Sequence, residues 1–369
     1  MAGKIRVGIV GATVTPGGSG WGANAHVPAI HALADYELAA VCTSREETAK
    51  ASAEKFGARL AFSNIEDMVH SPDVDLVVVC VRVPWHKDLV MSALSAGKPT
   101  FCEWPLGANL GEAQEMTNLA NSKNLRTMIG LQARSDPTIM YARDLVAQGY
   151  VGDVLAANLH VVGGAQLVRG PGRIWQGQKS NGANTFTIAG GHAIDAMCAV
   201  LGEFTDVAAR LATRIPNWQT EEGQPVPVDS PDVINFVGAL ESGAEVSVNV
   251  CSLPTSNGGT TLEIYGRDGT IVIPPDGPGR GALNIGPSIV YGAKGNAELA
   301  PMPAPDEYRL APEGTPAGSP YNVAQAYARN YDAAASGQAF DVDFNLALTR
   351  HQLLDAIERS AAEGKAVKL

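Results

Sequence analysis

The sequence predicts an α/β protein in two parts. Residues 1–130 read as a doubly wound parallel sheet, and residues 131–369 as an α+β domain with an open, mostly antiparallel sheet. Three observations carry this. A short apolar strand ends directly in Gly11. Residues 74–81, VDLVVVCV, are apolar without a break, as a central parallel strand covered on both faces requires. After about residue 130, strand–helix alternation gives way to strands joined by Gly- and Pro-containing turns.

The elements follow in order. Ile5–Val10 is the first strand, 25–33 a helix, 37–42 a second strand and Glu46–Phe56 a helix by composition and period. The run at 74–81 is the next strand, followed by helix 86–96, strand 100–102, helix 108–123 and strand 126–130. Such alternation indicates βαβ units. In the second part, 137–148 reads as a helix stopped by Gly149. Strands are expected at 154–162, 207–213, 233–240, 245–250, 261–265 and 270–273. The Gly- and Pro-rich stretch 274–320 reads as surface loop, and 321–336 and 347–362 as closing helices.

Composition narrows the function. With 45% hydrophobic and 18% charged residues, the 369-residue chain has ample core material and is not disordered. A formal net charge of −11 disfavours a phosphate backbone, so no nucleic-acid partner is expected. No window approaches the roughly 18 apolar residues of a membrane helix, so no membrane partner is expected. The glycine-interrupted N-terminus does not read as a signal peptide. Five scattered cysteines (Cys42, Cys80, Cys102, Cys198, Cys251), with no CxxC, read as buried free thiols of a cytoplasmic protein. The histidines lack ligand spacing, so no metal is expected.

Gly11 carries the first functional signal. A strand, a glycine turn and a helix start together make a pyrophosphate site, where amide groups and the helix dipole attract the anion. The spacing is irregular: Gly11 is the first glycine, Gly20 the second and Ala23 the third small position, with 13–19 inserted. The second strand ends in Cys42-Thr43-Ser44-Arg45, with no carboxylate to bond a ribose 2′-OH. Ser44 and Arg45 suit a 2′-phosphate instead, so NADP is favoured, with NAD as the alternative.

Further segments add a resemblance. VGIVGA at 7–12, GWGANAHVPAI at 20–30, VVVCVRVPWH at 77–86, the Glu103-Trp104-Pro105 segment, GLQARSDP at 130–137 and GGHAIDAM at 190–197 are similar to the Gfo/Idh/MocA family. The irregular glycine loop, Glu-Trp in place of Glu-Lys, and the Gly-His-x-Ile-Asp run resemble the branch containing a fungal galactose-regulon repressor. The resemblance implies an N-terminal Rossmann domain and a C-terminal α/β domain. It implies hydride transfer between NAD(P) and a sugar, polyol or glycoside, or, as the alternative, a non-catalytic dinucleotide sensor. Against the dinucleotide it places Gly11, Thr13, Gly20, Trp21, Ser44, Arg45, Val81, Val83, His86, Glu103, Trp104 and Gln132.

The proton-handling positions depart from the family. Its lysine is Trp104 here, and its Asp four residues before the histidine is Ile188. Trp104 either stacks on a ring or is a packed aromatic. His192 remains as the proton carrier, with Lys179 as a substitute base if buried. Arg134, Trp175 and Asp195 are substrate-side candidates; Arg134 and Asp195 could instead serve an ion pair or a helix start, and Trp175 the core. An exposed apolar face on the open sheet is expected to pair copies into a homodimer or homotetramer.

Overall fold

The computed structural model describes residues 3–15, 20–164, 167–254, 258–274, 282–285 and 288–369. In chain order it contains β1 (Ile5–Val10), α1 (Val27–Ala32), β2 (Tyr36–Cys42), α2 (Glu46–Phe56), β3 (Leu60–Phe62), α3 (Ile65–Val69), β4 (Leu76–Val79), α4 (His86–Ser95), β5 (Thr100–Glu103), α5 (Leu110–Ser122) and β6 (Thr127–Gly130). There follow α6 (Pro137–Ala147), β7 (Val154–Gly164), α7 (Gly191–Leu201), β8 (Asp206–Ala212), β9 (Asn217–Gln219), β10 (Pro225–Pro227), β11 (Val233–Ala239), β12 (Glu245–Leu253), β13 (Gly259–Gly266), β14 (Gly269–Ile273), β15 (Val290–Lys294) and β16 (Ala300–Met302). The chain closes with α8 (Ser319–Ala335), α9 (Phe344–Glu363) and β17 (Val367–Lys368).

Two compact units emerge. The first comprises Met1–Gly130 with Leu310–Thr349, and the second Leu131–Arg309 with Arg350–Leu369. The sequence reading carried its second domain unbroken to residue 369; the chain instead returns to the first unit at 310–349. Packing explains the return. Tyr327 of α8 is fully buried, with its ring 5.3 Å from Phe101 of β5 and its carbonyl accepting from Tyr36 Oη.

In the first unit the sheet runs β3-β2-β1-β4-β5-β6, with every neighbouring pair parallel. β4 is buried at all four residues, as its unbroken apolar run requires. α2 opens with Glu46 and Glu47, which suit the positive end of the helix dipole, and ends at Gly57 with φ +72°. The order reverses between β1 and β4, so the carboxyl ends of these strands form the switch point where such sheets bind ligands.

In the second unit nine strands run β16-β15-β14-β13-β7-β12-β11-β8-β17, and only β7–β12 is parallel. Alternation buries Ile234, Phe236, Val246, Val248, Val250, Leu262 and Ile264. The opposite face mixes exposed apolar side chains, Val237 and Tyr265, with rows of polar ones. Ser247 Oγ donates to Asn158 Oδ1 at 2.7 Å, Asn158 Nδ2 to Glu263 at 3.2 Å, and Asn249 Nδ2 to Asn235 Oδ1 at 2.7 Å.

The stretch 274–320 is likewise not all loop. It supplies β15 and β16, and Val290 and Leu283 are buried. Edge strands this short draw their order from the neighbouring strand, not from local pattern. Residues 275–281 and 286–287 of that stretch, and 16–19 of the glycine loop, lie outside the described residues.

Candidate functional site

Gly11 stands at the switch point. Its φ is +104°, and a side chain there would overlap the carbonyl oxygen of Cys80, just past β4. Its N–H donates to Cys42 O at 3.1 Å, which closes the turn onto β2. Glycine is therefore required twice over, by dihedral and by space. Gly20 follows with φ +69°. A Cβ on Gly22 would lie 3.0 Å from Ala12 N. The loop thus runs into a π-helical turn at Gly22–His26 and then α1, with the helix start packed against the strand-end glycine. These residues fit a dinucleotide pyrophosphate: backbone approaches closely, and the helix N-terminus is positive.

Around this cradle the expected contacts divide. Thr13 Oγ1 accepts from Thr15 N–H at 3.1 Å and shapes the loop. Trp21 is half-buried at the helix start. Ser44 and Arg45 are exposed at the end of β2. The Arg45 carbonyl accepts from Thr43 and Thr48 hydroxyls, and its guanidinium enters no ion pair among the described residues. Val81 is half-buried, and Val83 and Gln132 are buried.

His86 is buried between two backbone carbonyls. It is 1% exposed, with Nδ1 2.8 Å from Pro105 O and Nε2 3.0 Å from Val81 O. Burial lowers its pKa and favours the neutral ring, which donates to one of the two carbonyls. The Glu103 side chain is likewise turned inward, its Oε1 2.8 Å from His26 Nε2. Trp104, 5% exposed, packs as a buried aromatic.

The second unit holds His192 near the start of α7. Asn184 precedes it, accepting from Phe186 and Thr187 N–H groups in a capping box that fixes the turn Thr185–Gly190 leading into α7. His192 keeps 9% of its surface exposed.

One turn along α7, Asp195 is completely buried between two guanidinium groups. Arg134 Nε donates to it at 2.9 Å and Arg350 Nε at 3.2 Å, while Arg350 Nη2 donates to Glu203 at 2.8 Å. Burial opposes the Arg350 cation, but Cys198, Asp195 and Glu203 together hold its pKa above the ordinary value. Cys198 itself is pushed up to about 12 by burial, so it is a thiol. Arg134 and Asp195 are thus joined in an ion cluster, the ion-pair alternative that the sequence left open for Arg134.

Lys179 lies at the surface. Its ammonium is 47% exposed and pairs with Glu358 of α9 at 3.2 Å, as a surface lysine rather than a buried amine. Trp175 is half-buried, and its Nε1 donates to Gly172 O at 2.9 Å.

Sequence reasoning missed three residues. Gly22 was legible as a second small residue after Gly20. His26 and Arg350 gave no local signal, because their partners lie 77 and 155 positions away. Among the described residues no group of three His, Cys, Asp or Glu side chains could hold a metal, and no helix is long and apolar enough to cross a membrane.

Comparison with known proteins agrees with this architecture. Residues 5–131 match the oxidoreductase family with NAD-binding Rossmann fold (GFO_IDH_MocA), and residues 137–274 match the Gal80p C-terminal domain. A dehydrogenase of Aspergillus oryzae, aclE, is 30% identical over 380 residues, covering 99% of this chain and 98% of its own. The galactose/lactose metabolism regulatory protein GAL80 of Saccharomyces cerevisiae is 29% identical, covering 90% of this chain and 80% of its own. Levoglucosan dehydrogenase, solved with NADH and L-sorbose, superposes with a TM-score of 0.85 at 23% identity, covering 99% of each chain. With a dehydrogenase similar along its full length and the Rossmann signature on β1, the chain belongs to the Gfo/Idh/MocA oxidoreductase family, near the branch of the galactose regulators.

Proposed function

We propose that this protein is an NAD(P)-dependent oxidoreductase acting on a carbinol or carbonyl carbon of a sugar, polyol or glycoside. The bound dinucleotide supplies a hydride acceptor or donor. His192 takes the hydroxyl proton in oxidation and returns it in reduction. The observation that carries this is the presence of His192 at the head of α7, buried with 9% of its surface exposed, while Trp104 and Ile188 stand at the other proton-handling positions. The full-length likeness to a dehydrogenase supports it.

The glycine cradle holds the pyrophosphate, and Ser44 with the unpaired Arg45 guanidinium favours a 2′-phosphate, hence NADP over NAD. Copies pair through the outer face of the nine-stranded sheet, where Val237 and Tyr265 are 53% and 39% exposed beside the polar rows. All five cysteines are free, in keeping with a cytoplasmic location.

A second reading, a dinucleotide-sensing regulator, draws on the match of residues 137–274 to the Gal80p C-terminal domain and on the missing lysine. Absorbance at 340 nm with NAD and NADP, against a panel of sugars, polyols and glycosides, separates the two. A substrate-dependent change establishes the oxidoreductase and its preferred dinucleotide. Dinucleotide binding with no turnover on any member favours the sensor.

A further inference from the structure

Two arginines in the second unit stand without a counter-charge. Arg169 lies over Trp218, its guanidinium carbon 4.6 Å from the ring centroid. Its backbone is fixed to the same strand: Arg169 N–H donates to Gln219 O at 2.8 Å, and Gln219 N–H to Leu167 O at 2.9 Å. Gly177 lies against the same Trp218 ring, where a Cβ would come 3.2 Å from Cζ3. Arg173 sits on the same turn, its N–H donating to Gly170 O at 2.9 Å.

Neither guanidinium makes an ion pair or an internal hydrogen bond among the described residues. Nε of Arg169 is covered and has no acceptor. Glu221 lies beside Gly170, where a Cβ would come 2.8 Å from its Oε1, yet it pairs with neither arginine. Burial first, and then the neighbouring Arg173 charge, lowers the Arg169 pKa. In a chain of net charge −11, two neighbouring cations with no ion pair among the described residues carry a repulsive cost. An anion set between them removes it. The stacked guanidinium is already oriented, so its outer nitrogens present a fork that suits a planar or tetrahedral oxyanion.

We infer that Arg169 and Arg173 form a binding site for a small oxyanion, a carboxylate or phosphate group, gripped by the outer nitrogens of Arg169 on its Trp218 platform and by Arg173. The site goes beyond the proposed oxidoreductase activity and does not depend on it.

Calorimetric titration of the full chain at fixed ionic strength, with inorganic phosphate and with gluconate as probes, tests it. Saturable binding that the R169Q/R173Q variant weakens by at least about tenfold is expected. Equal binding in the two proteins, or no saturable binding of either probe, overturns the site. Arg173 is exposed, so R173Q alone keeps the fold and is expected to weaken binding at an unchanged melting temperature. Turnover then separates the sources of the oxyanion. If it belongs to the substrate, phosphate competes with substrate and R173Q raises KM at constant kcat. If it is a separate effector, phosphate alters the rate on a neutral substrate and R173Q removes that response. The binding result stands whether or not turnover is found.

Discussion

His26 Nε2 donates to Glu103 Oε1 at 2.8 Å, and this pair fixes the turn that carries Trp104. His26 is fully buried, and its Nδ1 faces Tyr327 Oη at 2.9 Å, so the glycine-loop helix, β5 and α8 meet at one polar node. Gly130 makes the room: a Cβ there would come 2.5 Å from Glu103 Oε2. His26→Ala leaves a carboxylate inside without its donor and is expected to cost about 3–5 kcal/mol in urea unfolding. Glu103→Gln keeps shape and an acceptor and is expected to cost less than half as much. Equal losses would contradict the pairing.

The glycine loop gives a graded prediction. Gly11→Ala meets both a φ of +104° and the Cys80 carbonyl, whereas Gly22→Ala meets backbone atoms of Ala12 and Gly11 at 3.0, 3.1 and 3.3 Å without a positive φ. Gly11→Ala is therefore expected to abolish dinucleotide binding, and Gly22→Ala to weaken it by about tenfold. Fluorescence titration with NADPH and NADH reads both.

Asp195 neutralises two arginines at once. Asp195→Asn removes the fully buried one of the two carboxylates that Arg134 and Arg350 share and leaves them to Glu203, with Arg350 fully buried. A loss of about 3–5 kcal/mol in chemical denaturation is expected. The isosteric change leaves packing volume intact, so a loss under about 1 kcal/mol would show that the cluster is not held as ions.

His192 and Lys179 separate by environment. His192→Ala is expected to lower kcat by at least about 100-fold, the usual worth of a proton-transfer group. Lys179→Met, at a half-exposed surface pair with Glu358, is expected to leave kcat and KM within about twofold. Steady-state kinetics on any substrate found at 340 nm checks both, and a collapse of kcat in Lys179→Met would restore it as the base.

Asp75 sets part of the acid limit. Its carboxylate accepts from Arg6 Nη2 at 2.7 Å and from Arg6 Nε at 2.9 Å, and the Arg6 hydrogen bonds hold its pKa below the ordinary value. A depressed folded pKa stabilises the protein above the unfolded value, near 3.9, and that contribution is lost as pH falls below it. Asp75→Asn is therefore expected to lower the melting temperature at pH 7, by a margin that narrows as pH falls from about 4 through the folded pKa. Parallel curves across that range would exclude the linkage.

Local pattern was enough for the elements that carry the dinucleotide cradle. β1 ending at Gly11, α2 from Glu46 to Phe56 and the unbroken apolar β4 are written in consecutive residues, because burial on both faces of a parallel strand leaves no room for polar side chains. The Gly-His-x-Ile-Asp run likewise placed His192 at the head of its helix.

Tertiary structure alone decided the rest. β15 and β16 exist because a sheet edge orders them, and 310–349 returns to the first unit because Tyr327 buries against Phe101. The roles of charged residues were settled in the same way. His86 binds carbonyls, Arg134 and Asp195 enter an ion cluster with Arg350, and Lys179 pairs at the surface. A hydrophobic period is a property of neighbouring residues and can be read along the chain. What a charge or an imidazole does depends on its partner and its burial, and Glu358, paired with Lys179, and Asp195, paired with Arg350, lie more than 150 positions away from them.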